Sequence, residues 1–75
     1  MGKTDEIYVQ LLDEGTIVYR PVFATRIGCS KFLILNHGYD PNDEIWEFPP
    51  GITVYVEEKE IEGITRLLAI RKCSD

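Results

Sequence analysis

Two cysteines and one histidine in 75 residues, with no C-x-x-C pair, leave this chain without the ligand spacing of a zinc site. Cys29 and Cys73 read as two reduced thiols, because small disulfide scaffolds are dense in cysteine. No Gly-rich phosphate loop, G-x-S-x-G elbow or Cys-His pair at catalytic spacing is present, which removes nucleotide chemistry and nucleophilic hydrolysis. His37, in H-G-Y, reads as a solvated residue near a turn. No run approaches the roughly 18 apolar residues of a membrane span, and Met1-Gly2-Lys3-Thr4-Asp5 lacks the apolar stretch of a signal peptide. The expectation is a cytoplasmic protein with no membrane partner and no cofactor. Positive charge is scarce as well. Against 13 Asp and Glu stand 8 Lys and Arg, a net charge of −5 that disfavours a nucleic-acid partner. Arg20, Arg26 and Lys31 form one diluted basic group and Arg66, Arg71 and Lys72 another, and both read as solvated strand faces.

The length permits one domain, residues 1–75, with a core that buries about 60% of the surface of the unfolded chain. Residues 1–5 and 73–75 are expected to be flexible tails. Runs at 7–12 and 17–23 are rich in β-branched and aromatic residues, and Asp13-Glu14-Gly15-Thr16 between them is hairpin chemistry. The second run extends towards Ile27, and Pro21 inside it marks an edge or a bulged bend. Residues 32–37 form a third strand. Residues 52–57 alternate Ile52, Val54 and Val56 against Thr53, Tyr55 and Glu57, the clearest period of two in the chain. A charged turn is expected over 57–63, then a last strand over 64–72. The fold class is therefore all-β: a small antiparallel five- to six-stranded SH3-like barrel or strongly curled sheet, with at most one short helical turn.

Between the third strand and the next lies Y-D-P-N-D-E-I-W-E-F-P-P-G, residues 39–51, with four carboxylates, three aromatics and three prolines. Its Asp-Pro and Pro-Gly pairs are turn chemistry, so it reads as a stiff connector. Arg20 can fork onto Glu44 or Glu47, since a guanidinium suits carboxylates, and such a bridge would pin the connector to the hairpin. The competing reading gives Arg20 an anionic ligand, with Tyr39 and Trp46 as stacking faces. Asp40, Asp43, Glu44 and Glu47 do not read as a calcium loop, because no D-x-D-x-D-G pattern is present and Pro41 restricts the backbone where ligands would converge. Nor do they read as a hydrolase dyad without a cleft to desolvate one acid.

L-D-E-G-T-x-V-Y-R-P-V-x-A at 12–24 and Y-D-P-N-D-E-x-W-E-F-P-P-G at 39–51 together resemble a family of small uncharacterised bacterial proteins. The resemblance covers most of the chain and draws attention to Glu14, Arg20, Pro21, Asp40, Glu44, Trp46, Glu47 and Pro50. It implies a small all-β fold, transfers no activity and no catalytic residue, and points to accessory or mobile gene cassettes.

Several strands are apolar on both faces. Ile7, Val9 and Leu11 alternate with Tyr8 and Leu12; Phe32 and Ile34 with Leu33 and Leu35; Ile64, Leu68 and Ile70 with Leu67 and Ala69. A sheet of this size fills its interior with one set, so the other must lie under the connector, meet another subunit or bind a ligand. The expectation is a non-enzymatic interaction module that forms a homodimer or higher oligomer, or meets another protein, through an aromatic and acidic surface of Arg20, Tyr39, Asp40, Glu44, Trp46 and Glu47. The alternative is a small-ligand binder or minor enzyme with a pocket near Arg20, Tyr39 and Trp46.

Overall fold

Alternation of apolar and polar residues builds six strands in a computed structural model that describes residues 4–73. They are β1 (Asp5–Leu12), β2 (Val18–Arg26), β3 (Lys31–Ile34), β4 (Ile45–Trp46), β5 (Thr53–Ile61) and β6 (Ile64–Lys72), with no helix among the described residues. Consecutive antiparallel pairing joins β1 to β2, β2 to β3, β3 to β5 and β5 to β6. After five up-and-down strands the first and last run in the same direction, so their meeting has to be parallel. It is: β1 touches β6 through Tyr8 opposite Leu68, and the pairings close into a ring. Apart from that one parallel bridge the described pairings are antiparallel, and the curled six-stranded all-β form is the one the sequence implies.

One face of each long strand points inward. Ile7, Val9 and Leu11 on β1, Val22 and Ala24 on β2, Phe32 and Ile34 on β3, Val54 and Val56 on β5 and Ala69 on β6 are buried together, and Trp46 of β4 joins them. Each large apolar side chain so buried contributes roughly 1.5–3 kcal/mol. The radius of gyration, 11.8 Å, is near the about 11 Å of a compact chain this long.

The element boundaries differ from the sequence expectation at particular points. Asp5 is paired with Ala24 in β1, and the Cys73 N–H donates to the Thr53 carbonyl at 2.8 Å, so neither residue is a tail; residues 1–3 and 74–75 lie outside the described residues. Ile17 precedes β2, and β3 ends at Ile34, before Asn36 and His37. Pro21 sits in register opposite Tyr8 with no register shift, and as β3 pairs only with Ala24 to Arg26, β2 is a sheet edge there, the edge that the proline signals. The register shift falls between Tyr55 and Val56, where Arg71 and Ala69 are their partners and Ile70 is the extra residue. A bulge there adds twist and helps the sheet curl.

The largest difference is at 57–63. Strand β5 continues through the charged run to Ile61, and the reversal needs only Glu62 (φ 55°) and Gly63 (φ 82°). Two positive φ values in a two-residue loop match the twist of the flanking strands. Glu57, Glu58 and Glu60 are exposed, so a strand in water holds them as well as a loop would.

Candidate functional site

The connector starts with an Asx turn. The Asn42 N–H donates to Asp40 Oδ1 at 2.9 Å, and the Asp43 and Glu44 N–H groups donate to the Asp40 carbonyl at 3.0 and 3.1 Å. Pro41 fixes φ within that turn and has no N–H to leave unpaired. The turn delivers β4 to the edge of β1 left open beyond the seam with β6, pairing Leu11 with Trp46 and Leu12 with Ile45. The Glu47 N–H then donates to the Gln10 carbonyl at 2.8 Å.

Delivered this way, Trp46 is 4% exposed and packs among the interior side chains, with Tyr39 tilted against it at a centroid separation of 4.6 Å. Phe48 and Ile52 pack on the same cluster. The connector thus closes the interior instead of covering the second apolar faces, and Trp46 offers no stacking surface to a ligand.

Arg20 has the inward parity of Val18 and Val22, opposite Val9, yet its side chain is 49% exposed because it reaches out to the connector. Its Nε lies 2.7 Å from Glu44 Oε1. The Trp46 indole N–H donates to the same oxygen at 3.1 Å. One carboxylate oxygen therefore ties the hairpin to the connector and satisfies the polar atom of a buried indole, a role for which Glu44, 21% exposed, is well placed. Of the two acids weighed for Arg20, Glu44 takes the pair; Glu47 is exposed and contributes its backbone. Asp40 likewise acts through its carbonyl and Oδ1 in the turn.

The six candidate residues converge on one structural node, held by the Arg20–Glu44–Trp46 contacts, the Tyr39 ring, the Asp40 turn and the Glu47 backbone. Two surface clefts lie away from this node, one of about 340 Å³ lined by Ile27, Lys31, Gly51, Ile52, Thr53, Lys72 and Cys73, another of about 410 Å³ between Tyr8, Ile17, Tyr19 and the β5–β6 tip. Neither cleft is lined by Arg20, Tyr39 or Trp46. No group of three or more His, Cys, Asp or Glu side chains is arranged to hold a metal ion among the described residues. No described helix is long and apolar enough to cross a membrane.

What sequence reading missed is the grouping of cations. Lys31, Tyr55 and Arg71 are cross-strand partners on β3, β5 and β6, and Arg71 Cζ lies 4.2 Å and Lys31 Nζ 5.8 Å from the Tyr55 ring centre. The signal was in the chain: residues 15–39 and 63–74 contain no Asp or Glu. Comparison of the chain with protein-family models, with curated proteins and with solved structures finds no match.

Proposed function

We propose that this chain is a non-enzymatic interaction module that works by self-association through its outer face. The observation that carries the reading is an apolar belt on that face. Leu68, Tyr8 and Pro21 are cross-strand neighbours on β6, β1 and β2; Phe23 is two residues further along β2; and Leu33 and Leu35 follow on β3 and just beyond it. Phe23 is 46% exposed, with the His37 ring edge-on to it at 5.2 Å. The interior is already filled by the opposite faces, so nothing in the fold needs these side chains.

A second copy suits the belt because its flanking charges are balanced: Glu6 and Arg66 stand 3.9 Å apart at its side, with Arg66 over Tyr8 at 5.3 Å. A two-fold interface brings a patch against itself, which an apolar strip with one charge of each sign tolerates and a like-charged strip does not. The acidic residues of the connector, Asp40, Asp43 and Glu47, remain exposed as the rim available to another protein partner. A cytoplasmic setting belongs to this proposal, in keeping with a chain whose two cysteines are far too few for a disulfide scaffold.

Light scattering on the native chain and on Phe23→Lys tests it. The native chain should exceed one protomer at micromolar concentration, and the variant should fall to one protomer with an unchanged circular dichroism spectrum. A native chain that stays monomeric would overturn the reading.

A further inference from the structure

Half of the chain's Lys and Arg residues, Arg26, Lys31, Arg71 and Lys72, gather where β2 ends, β3 begins and β6 ends, in a protein whose net charge is −5. The loop of Gly28, Cys29 and Ser30 brings the first two together: Arg26 donates to the carbonyls of Gly28 and Cys29 at 3.2 and 2.7 Å, and the Ile27 N–H donates to the Lys31 carbonyl at 2.9 Å. Strand pairing then sets Lys31 beside Tyr55 and Tyr55 beside Arg71. The ion pairs of the described residues are Arg20 with Glu44 and Arg66 with Glu6, so Lys31, Arg71 and Lys72 have no carboxylate within 4.0 Å among them. Lys31 on β3 and Arg71 and Lys72 on β6 flank the same stretch of β5, and like charges gathered so closely repel, a repulsion relieved when an anion sits between them.

A hollow is present for it. Lys31 and Lys72 line the cleft of about 340 Å³ together with Ile27, Gly51, Ile52, Thr53 and Cys73. This volume lies at the small end of ligand pockets, which run from roughly 300 to 1,000 Å³. The Tyr55 hydroxyl is hydrogen-bonded with the Cys73 thiol, which raises its pKa above the ordinary phenol value against the pull of Lys31 and Arg71, so the ring brings no negative charge to the cluster.

We propose that this cleft binds a small soluble anion bearing a phosphate or pyrophosphate group, held by Lys31 and Lys72 with Arg71 reinforcing the field from beside Tyr55. Phosphate suits the site better than a single carboxylate because its charge is spread over several oxygens that separate cations can share. A polymer suits it less. Glu57 follows Tyr55 two residues along the same strand, and Glu58, Glu60 and Glu62 continue beyond, so a nucleic-acid backbone running off the cations along β5 meets like charge. The site is separate from the apolar belt and does not depend on self-association.

The test is an amide-resolved NMR titration of the native chain with inorganic pyrophosphate, with acetate at matched ionic strength as the comparison. Saturable shifts centred on Lys31, Thr53 and Cys73 are expected with pyrophosphate and not with acetate. The double variant Lys31→Gln, Lys72→Gln should weaken the binding about tenfold or more, as expected for the loss of two charge-assisted contacts. Lys59→Gln, a cation on the far half of β5, should leave it unchanged. Shifts that follow ionic strength alone, or that survive in the double variant, would overturn the proposal. So would tighter, saturable binding of a single-stranded oligonucleotide at the same residues, which would make the patch a nucleic-acid surface.

Discussion

Residues 39–51 and residues 57–63 carry four carboxylates each, and the fold uses the two segments in opposite ways. The first is irregular backbone fixed from within: Trp46 is inserted among the interior side chains, and Glu44 takes a hydrogen bond from its indole and an ion pair from Arg20. The second is regular backbone fixed from without: a strand and a two-residue reversal whose carboxylates stay in water. A charge run therefore does not say whether a segment is loop or strand. What decides is whether the segment supplies an apolar anchor, as Trp46, Tyr39 and Phe48 do, or only alternates around a ladder, as Glu57 to Ile61 does against Leu68 to Ile64.

The contrast can be broken most severely at the anchor. Trp46→Ala should cost roughly 3–5 kcal/mol, a large part of the roughly 4–11 kcal/mol expected for a domain of this length, and should lower the thermal midpoint sharply or leave the chain unfolded. Next comes the carboxylate. Glu44→Ala leaves a buried indole donor and the Arg20 charge without their acceptor, a loss of about 1–3 kcal/mol measurable by urea denaturation. Gly63→Ala attacks the other segment. With φ at 82° an alanine should cost about 1–2 kcal/mol and shift the hairpin without touching the connector. Arg20→Ala removes a half-exposed partner and should cost about 0–1 kcal/mol, clearly less than Glu44→Ala, because the indole keeps its acceptor. The smallest effect belongs to the strand acids: Glu58→Gln or Glu60→Gln should stay within about 0.5 kcal/mol of the native chain. An effect there as large as that of Glu44→Ala would erase the distinction.

Much of this was readable in advance. The last strand, Ile64–Lys72, the alternation that buries Val54 and Val56, the split of β1 and β3 into inner and outer sets, and the pairing of Arg20 with a connector acid all follow from spacing and charge. Strand β5 was cut short because four glutamates resemble a turn when solvation alone is considered, whereas exposed strand positions accept charge freely. Pro21 marks an edge, since β3 pairs with β2 only at Ala24 to Arg26, whereas the irregularity in the ladder lies at Ile70, which has no such mark. Trp46 was placed on a surface since acids flank it in sequence. In the fold those flanking residues point elsewhere, and only Glu44 turns back to meet the indole. The parallel seam and the cationic cluster join residues distant in the chain, and local pattern does not reach that far.

Trp46 is the chain's one tryptophan, so its fluorescence tests directly whether the connector is an internal anchor and not a binding surface. Emission of the native chain, and of a Phe23→Lys variant, should be blue-shifted, weakly quenched by acrylamide and unchanged on dilution, moving to the red only on unfolding. Red-shifted, freely quenched emission from the folded monomer would place the indole in water and contradict the account.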